Sequence, residues 1–169
     1  VGNGDRLILG GLISKGDLGL YNLAAMFNQI PISILSSLSG LILLPYLAKS
    51  FHLDPTELST TLNNLINKIL NYMLPLVGGL IVFGEITIDL LYPSEFYLAG
   101  ELLQLLGISA FFQILPLVIL PLFLARGNSY KHMLAYLSIF VLKSSLIYLG
   151  FYLFQLKGAI YGVILAQLL

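Results

Sequence analysis

Two long stretches of this chain carry no charge. No Asp, Glu, Lys or Arg stands between Asp17 and Lys49, and none between Glu101 and Arg126. A helix needs about 20 mostly apolar residues, at about 1.5 Å each, to cross a hydrocarbon core, and both stretches are long enough. Nor could the chain clothe a water-facing globule. It is 58% hydrophobic and 9% charged, whereas soluble domains carry about 25% charged residues. The fold class expected is all-α and integral to a membrane, an antiparallel bundle of transmembrane helices.

Other features bound the organisation. There is no cysteine, which removes disulfides and thiolate metal sites. The chain opens at Val1 inside an apolar stretch with no basic segment before it, unlike a signal peptide, and "YGVILAQLL" stops without a polar end. It therefore reads as a fragment, cut in one span at the front and in another at the back. The expected spans are about 1–13 (truncated), 18–48 with Pro31 as a kink, 69–91, 101–124, 133–154 and 158–169. Between the second and third, "DPTELSTTLNNLINK" opens with Asp54 as N-cap, Pro55 at the first helical position and Glu57 at the third. Leu58, Leu62, Leu65, Ile66 and Ile69 then recur on one helical face. That pattern fits an interfacial amphipathic helix over 54–67, or equally an outward extension of the third span.

Loop charges set an orientation. Lys49, Lys68, Arg126 and Lys131 fall on one side, against Lys15 and Lys157 on the other, so the first side is assigned to the cytoplasm. The opposite central loop carries Glu85, Asp89, Glu95 and Glu101 without a basic residue. Tyr92, Phe96 and Tyr97 there fit an outer aromatic belt.

Charged and polar residues inside spans are the candidates for function. Lys143 sits in the middle of "YLSIFVLKSSLIYLGFYLF", about 16 Å of helix from either end and beyond easy snorkelling reach. A central lysine costs from about 2.5 kcal/mol upward, so such residues face a bundle interior or a watery cavity. It reads as a cationic contact for an anionic substrate, or as a structural partner of a carboxylate or of backbone carbonyls. Asp5 and Arg6 lie near the end of the first span and point about 100° apart. Either could enter the same cavity, or both could be solvated. The second span holds Asn22, Asn28, Gln29, Ser33, Ser36, Ser37 and Ser39, which line a path or make interhelical hydrogen bonds. Gln113, Pro116 and Pro121 mark the fourth span as bent, and Gly158 with Gly162 reads as small-residue packing. His52 and His132 have no neighbouring ligands, and no catalytic constellation or nucleotide motif is present. Hence no enzyme, metal or cofactor is expected, and no nucleic acid.

Read together, "NGDRLILGGLISKGDLGLYNLAAMFNQIPISILSSLSGLILLPYLAKSF" resembles the polysaccharide-flippase (O-antigen flippase) branch of the multidrug/oligosaccharidyl-lipid/polysaccharide, MATE-like exporter superfamily. Asp5 stands where that branch commonly has an Asp near the end of its seventh helix. Leu18-Gly19-Leu20-Tyr21 with Ala24, and Leu44-Pro45 with Ala48-Lys49, occupy its next two motifs. "LLYPSEFYLAGELLQLLGISAFF", "LARGNSYKHM" and "LKGAIYG" are similar to later stretches, although Pro93 stands where many relatives have Gly.

The resemblance implies that residues 1–169 are most of a C-terminal six-helix lobe of a two-lobe transporter, partnered by a missing N-terminal lobe of the same chain. It implies a multi-pass protein of the cytoplasmic membrane that moves an undecaprenyl-diphosphate-linked oligosaccharide across the bilayer by alternating access. Lys143 and Arg6 would attract the diphosphate, Asp5 would pair with a cavity cation or serve ion coupling, and with Asn28 and Gln29 these form the substrate-binding set. Coupling to H+ or Na+ is left open. A cation-coupled multidrug exporter of the same superfamily is the alternative, and a non-transporting membrane component is the third class.

Overall fold

The computed structural model describes residues 4–38, 40, 41, 45, 55–125 and 127–168, and the regular elements among them are helical. They are α1 (Gly4–Gly10), α2 (Lys15–Leu38), α3 (Pro55–Leu91), a 3₁₀ turn (Ser94–Phe96), α4 (Tyr97–Ala125) and α5 (Ser129–Leu168). Four stretches among the described residues are long and apolar enough to cross a membrane: Lys15–Leu38, Ser59–Leu91, Ser94–Ile114 and Ser129–Gln167. The chain is an all-α membrane bundle.

Local chemistry fixes where the helices begin and end. Ser14 caps α2: its Oγ accepts from the Asp17 amide at 3.1 Å and donates to Asp17 Oδ2 at 2.7 Å. This relieves one of the unpaired amides of a first turn. After α4 the chain turns at Gly127, whose φ of +70° is the left-handed conformation that glycine adopts cheaply. Asn128 Oδ1 then accepts from the Lys131 amide at 3.2 Å and so caps α5.

Residues 55–67 run without a break into the third span as the first turns of α3. Neither Gly nor Pro interrupts residues 56–74, so nothing in the backbone separates an interfacial helix from the span. The expected Asp54 cap, Lys49, His52 and Arg126 lie outside the described residues, as does most of 39–54. Helix α2 continues through Pro31 and α3 through Pro75.

Helix α5 consists of two legs. Phe154 (φ −137°, ψ 22°) and Gln155 (φ 55°, ψ −137°) leave helical geometry inside it, and the legs 129–153 and 156–168 fold back on each other. Their backbones approach so closely that a Cβ on Gly150 would overlap the Gly158 carbonyl. One on Gly162 would overlap the carbonyl of Leu146. Between membrane helices no water is expelled, so association rests on such close backbone packing.

Helix α4 is the stem. Half of its spanning segment is buried, the largest share among the four, because it packs on α2, α3 and α5. Small residues again set the approach to α3, with Gly100 against Glu85 and Gly107 against Ile81. Leu102, Leu103 and Leu106 of α4 meet Ile88, Ile147, Ile160 and Val163 in the main core. A second core joins Leu35, Met73, Val77, Ala110 and Ile114. Short α1 lies on α5 and α2, with Leu9 fully buried.

Candidate functional site

Lys143 does not face out of the bundle. It is 7% exposed, and with Asp5 and Asn28, at 9% and 7%, it is among the buried polar residues of the molecule. By helix rise it lies about 15 Å from the nearer end of its leg. A cation at that depth needs compensation, and Asp5 supplies it: Lys143 Nζ stands 3.8 Å from Asp5 Oδ2.

The same carboxylate oxygen is held from a second side. Tyr21 Oη donates to Asp5 Oδ2 at 2.5 Å, within the short range of an O–H bond to an ionised acceptor. Leu9 and Tyr21, both fully buried, pack α1 and α2 together just there. Asp5 Oδ1, by contrast, is buried without a hydrogen-bond partner among the described residues.

These groups open onto one cavity of about 40 Å³, room for a few water-sized groups. Asp5 and Arg6 line it from α1, and Asn28 and Gln29 from α2. Lys143 completes it from the first leg of α5, so the structure brings all five candidate residues to a single place. Arg6, although adjacent to Asp5 in sequence, also reaches it and is half-buried. The far wall is uncharged: Ser109 and Gln113 from α4, and Gln167 from the second leg. Ser109 Oγ donates to Gln167 Oε1 at 2.7 Å. Asn28 Oδ1 is a second buried acceptor without a partner among the described residues. The cavity lining thus combines two cations and one carboxylate with amides that keep unspent hydrogen-bonding capacity.

The rest of the polar pattern divides. Ser33 and Ser36 are exposed, and Ser33 Oγ donates back to the Ile30 carbonyl at 2.8 Å. Of the polar residues of the second span, Asn28 and Gln29 reach the cavity and these two serines do not. Asn22 lies off the cavity. Away from the cavity lining Tyr92 and Phe96 pack against the main core, Tyr92 meeting Phe27 edge-on at 6.3 Å. Tyr97 stays exposed and donates to Glu101 at 3.0 Å, while Lys157 pairs with Glu101 at 2.6 Å.

Tyr21, Ser109 and Gln167 were not singled out as site residues by sequence. Tyr21 reads there as part of a family phrase and as an apolar ring. Its partner lies sixteen positions away on another helix, which no local pattern reveals. Ser109 and Gln167 carried a usable signal, since a hydroxyl or amide in a spanning segment seeks a partner across helices.

Helices of spanning length around a buried polar and charged chamber define a multi-pass α-helical membrane protein with a polar interior. The sequence model of a family described as polysaccharide biosynthesis protein matches residues 1–100, more than half of the chain, and the chain belongs to that family. The match contains Asp5, Arg6, Tyr21, Asn28 and Gln29, and it ends before Lys143. No curated protein and no solved structure gives a match.

Proposed function

We propose that the chain is part of a flippase that carries a lipid-linked oligosaccharide, joined to its lipid through a diphosphate, across the cytoplasmic membrane. The observation that carries this reading is the meeting of Lys143 and Arg6 with the amides of Asn28 and Gln29 in one buried cavity. Two cations suit a diphosphate, and amides suit the hydroxyls of a sugar. Membership of a polysaccharide biosynthesis family supports a substrate of this class. In this reading the chain is a transporter and not an enzyme. It forms one lobe of a two-lobe carrier that works by alternating access, with a further lobe as its partner.

The test is transport in cells that depend on the complete protein. Lys143→Ala at normal expression cripples surface delivery of the polysaccharide, and Lys143→Arg keeps part of it. Full activity of the alanine variant refutes the substrate role. One observation favours a second reading: the buried carboxylate of Asp5 is the kind of group a cation-coupled exporter of small cationic compounds uses. Under that reading Asp5→Asn abolishes efflux of such compounds, and Lys143→Ala leaves it intact.

A further inference from the structure

The ion pair of Lys143 and Asp5 is unlike a structural salt bridge. A committed ammonium–carboxylate hydrogen bond is about 2.7–2.9 Å long, and Lys143 stands 3.8 Å from Asp5. The ammonium makes no hydrogen bond to any described residue, so its donors remain available. Asp5 also divides its attention. Its Oδ2 takes the Tyr21 hydroxyl at 2.5 Å and faces Lys143 as well, while Oδ1 has no partner among the described residues. Tyr21 therefore competes with Lys143 for the oxygen that holds the lysine. Cation and carboxylate both border open volume rather than packed side chains.

We propose that Asp5 is an exchangeable internal counter-ion, which occupies Lys143 when the cavity is empty and yields it to an incoming phosphate-type anion, and that Tyr21 is the positioning residue that keeps Asp5 weak enough to yield. This rests on the reading of the cavity as an anion site and adds its regulation. A lone central cation would be too costly to bury, and a tightly hydrogen-bonded pair would not open. The observed arrangement, one shared oxygen at Coulombic distance, lies between these. Anion binding is then an exchange of one negative partner for another, and the cavity keeps its compensation throughout.

Asp5 and Tyr21 consequently act in opposite directions. Removing the carboxylate (Asp5→Asn) frees Lys143 and tightens anion binding. Removing the hydroxyl (Tyr21→Phe) leaves Asp5 to Lys143 alone and weakens it. A merely structural role would shift both variants the same way.

The experiment measures binding of inorganic pyrophosphate to the purified full-length chain in detergent, by calorimetry and by thermal stabilisation, for wild type, Asp5→Asn, Tyr21→Phe and Lys143→Gln. The expected results are an affinity gain of roughly 30–150-fold for Asp5→Asn, within the range usual for coupled sites, a loss for Tyr21→Phe, and no binding for Lys143→Gln. Lys143-dependent binding that Asp5→Asn leaves unchanged or weakens overturns the counter-ion role alone, and the anion site stands. Equal shifts in Asp5→Asn and Tyr21→Phe overturn the role of Tyr21. Absence of binding in every variant overturns both the inference and the anion site on which it rests. Thermal midpoints without ligand identify any variant that fails to fold, and if Asp5→Asn does, Asp5→Ser, which also removes the carboxylate, takes its place with the same expected gain and the same overturning result.

Discussion

The buried pair can be weighed by removing Asp5 and Lys143 singly and together, as Asp5→Asn, Lys143→Met and the double variant. At 3.8 Å two unit charges attract by about 4 kcal/mol for an effective dielectric constant near 20. The side chains are 9% and 12% exposed, so bulk screening removes little of this. The adjoining cavity and the missing hydrogen bond remove more, which leaves a coupling of about 2–3 kcal/mol. The single costs should differ. Without Lys143, Asp5 still accepts from Tyr21, and the loss falls near the low end of the usual range of about 3–5 kcal/mol for breaking a buried pair. Without Asp5, Lys143 has no partner and Arg6 borders the same cavity, so that variant is the less stable. The double variant buries no charge at this point and should recover the coupling. Reversible unfolding in mixed micelles reads all four proteins. If the singles add to within about 0.5 kcal/mol, as independent sites do, the pair is no interaction and the argument for the site's electrostatics fails.

Two further variants test the hairpin of α5 in the same assay. Gly158→Ala puts a methyl group where the Gly150 carbonyl stands, and forcing the legs apart should cost about 3 kcal/mol or more, above the ordinary range for overpacking because backbone must move. An alanine that leaves stability unchanged would mean the legs do not touch there. Gln155→Gly acts oppositely: the φ of 55° with ψ −137° is strained for a side-chain-bearing residue, by about 1–3 kcal/mol. Glycine should stabilise the protein by about 1 kcal/mol, and a destabilised Gln155→Gly would show that the turn is not strained.

Sequence discloses what lipid forbids. Uncharged runs such as 18–38 and 102–125 are legible as helices because no other arrangement of those residues suits a hydrocarbon solvent. Lys143 is legible for the same reason, as an expensive group that must have a use or a partner. The identity of the partner is another matter. Asp5 and Lys143 are far apart in sequence, and their meeting depends on how α1 lies on α5, which is set by contacts such as Gly4 against Phe140. Tyr21 is hidden more deeply, since a tyrosine among apolar residues reads as bulk until a carboxylate is found beside its hydroxyl. The opening of α3 shows the limit of pattern: Leu58, Leu62 and Leu65 give the same periodicity whether the helix lies flat or runs on into a span. What decides the backbone is the lack of a breaker between 56 and 74. The turn at Gln155 is illegible for a related reason, because a glutamine gives no hint of a positive φ.

The division of labour within the bundle has a consequence for how a carrier of this kind would move. Packing rests on α4 with α3, and on the glycine-lined legs of α5, where apolar side chains and backbone make the close contacts. The buried charges ride on α1 and on the adjoining face of the first α5 leg, where Asp5 faces Lys143. Among the described residues that ion pair is the polar tie between the two elements, supplemented by apolar contacts such as Gly4 with Phe140. In the proposed exchange, an anion that takes Lys143 from Asp5 would loosen α1 from α5 without disturbing the stem. It does so only while bound, because the pair re-forms when the anion leaves. A ligand can bias a conformational equilibrium only through a difference in its contacts with the two states. Here the difference would lie in a single exchangeable counter-ion.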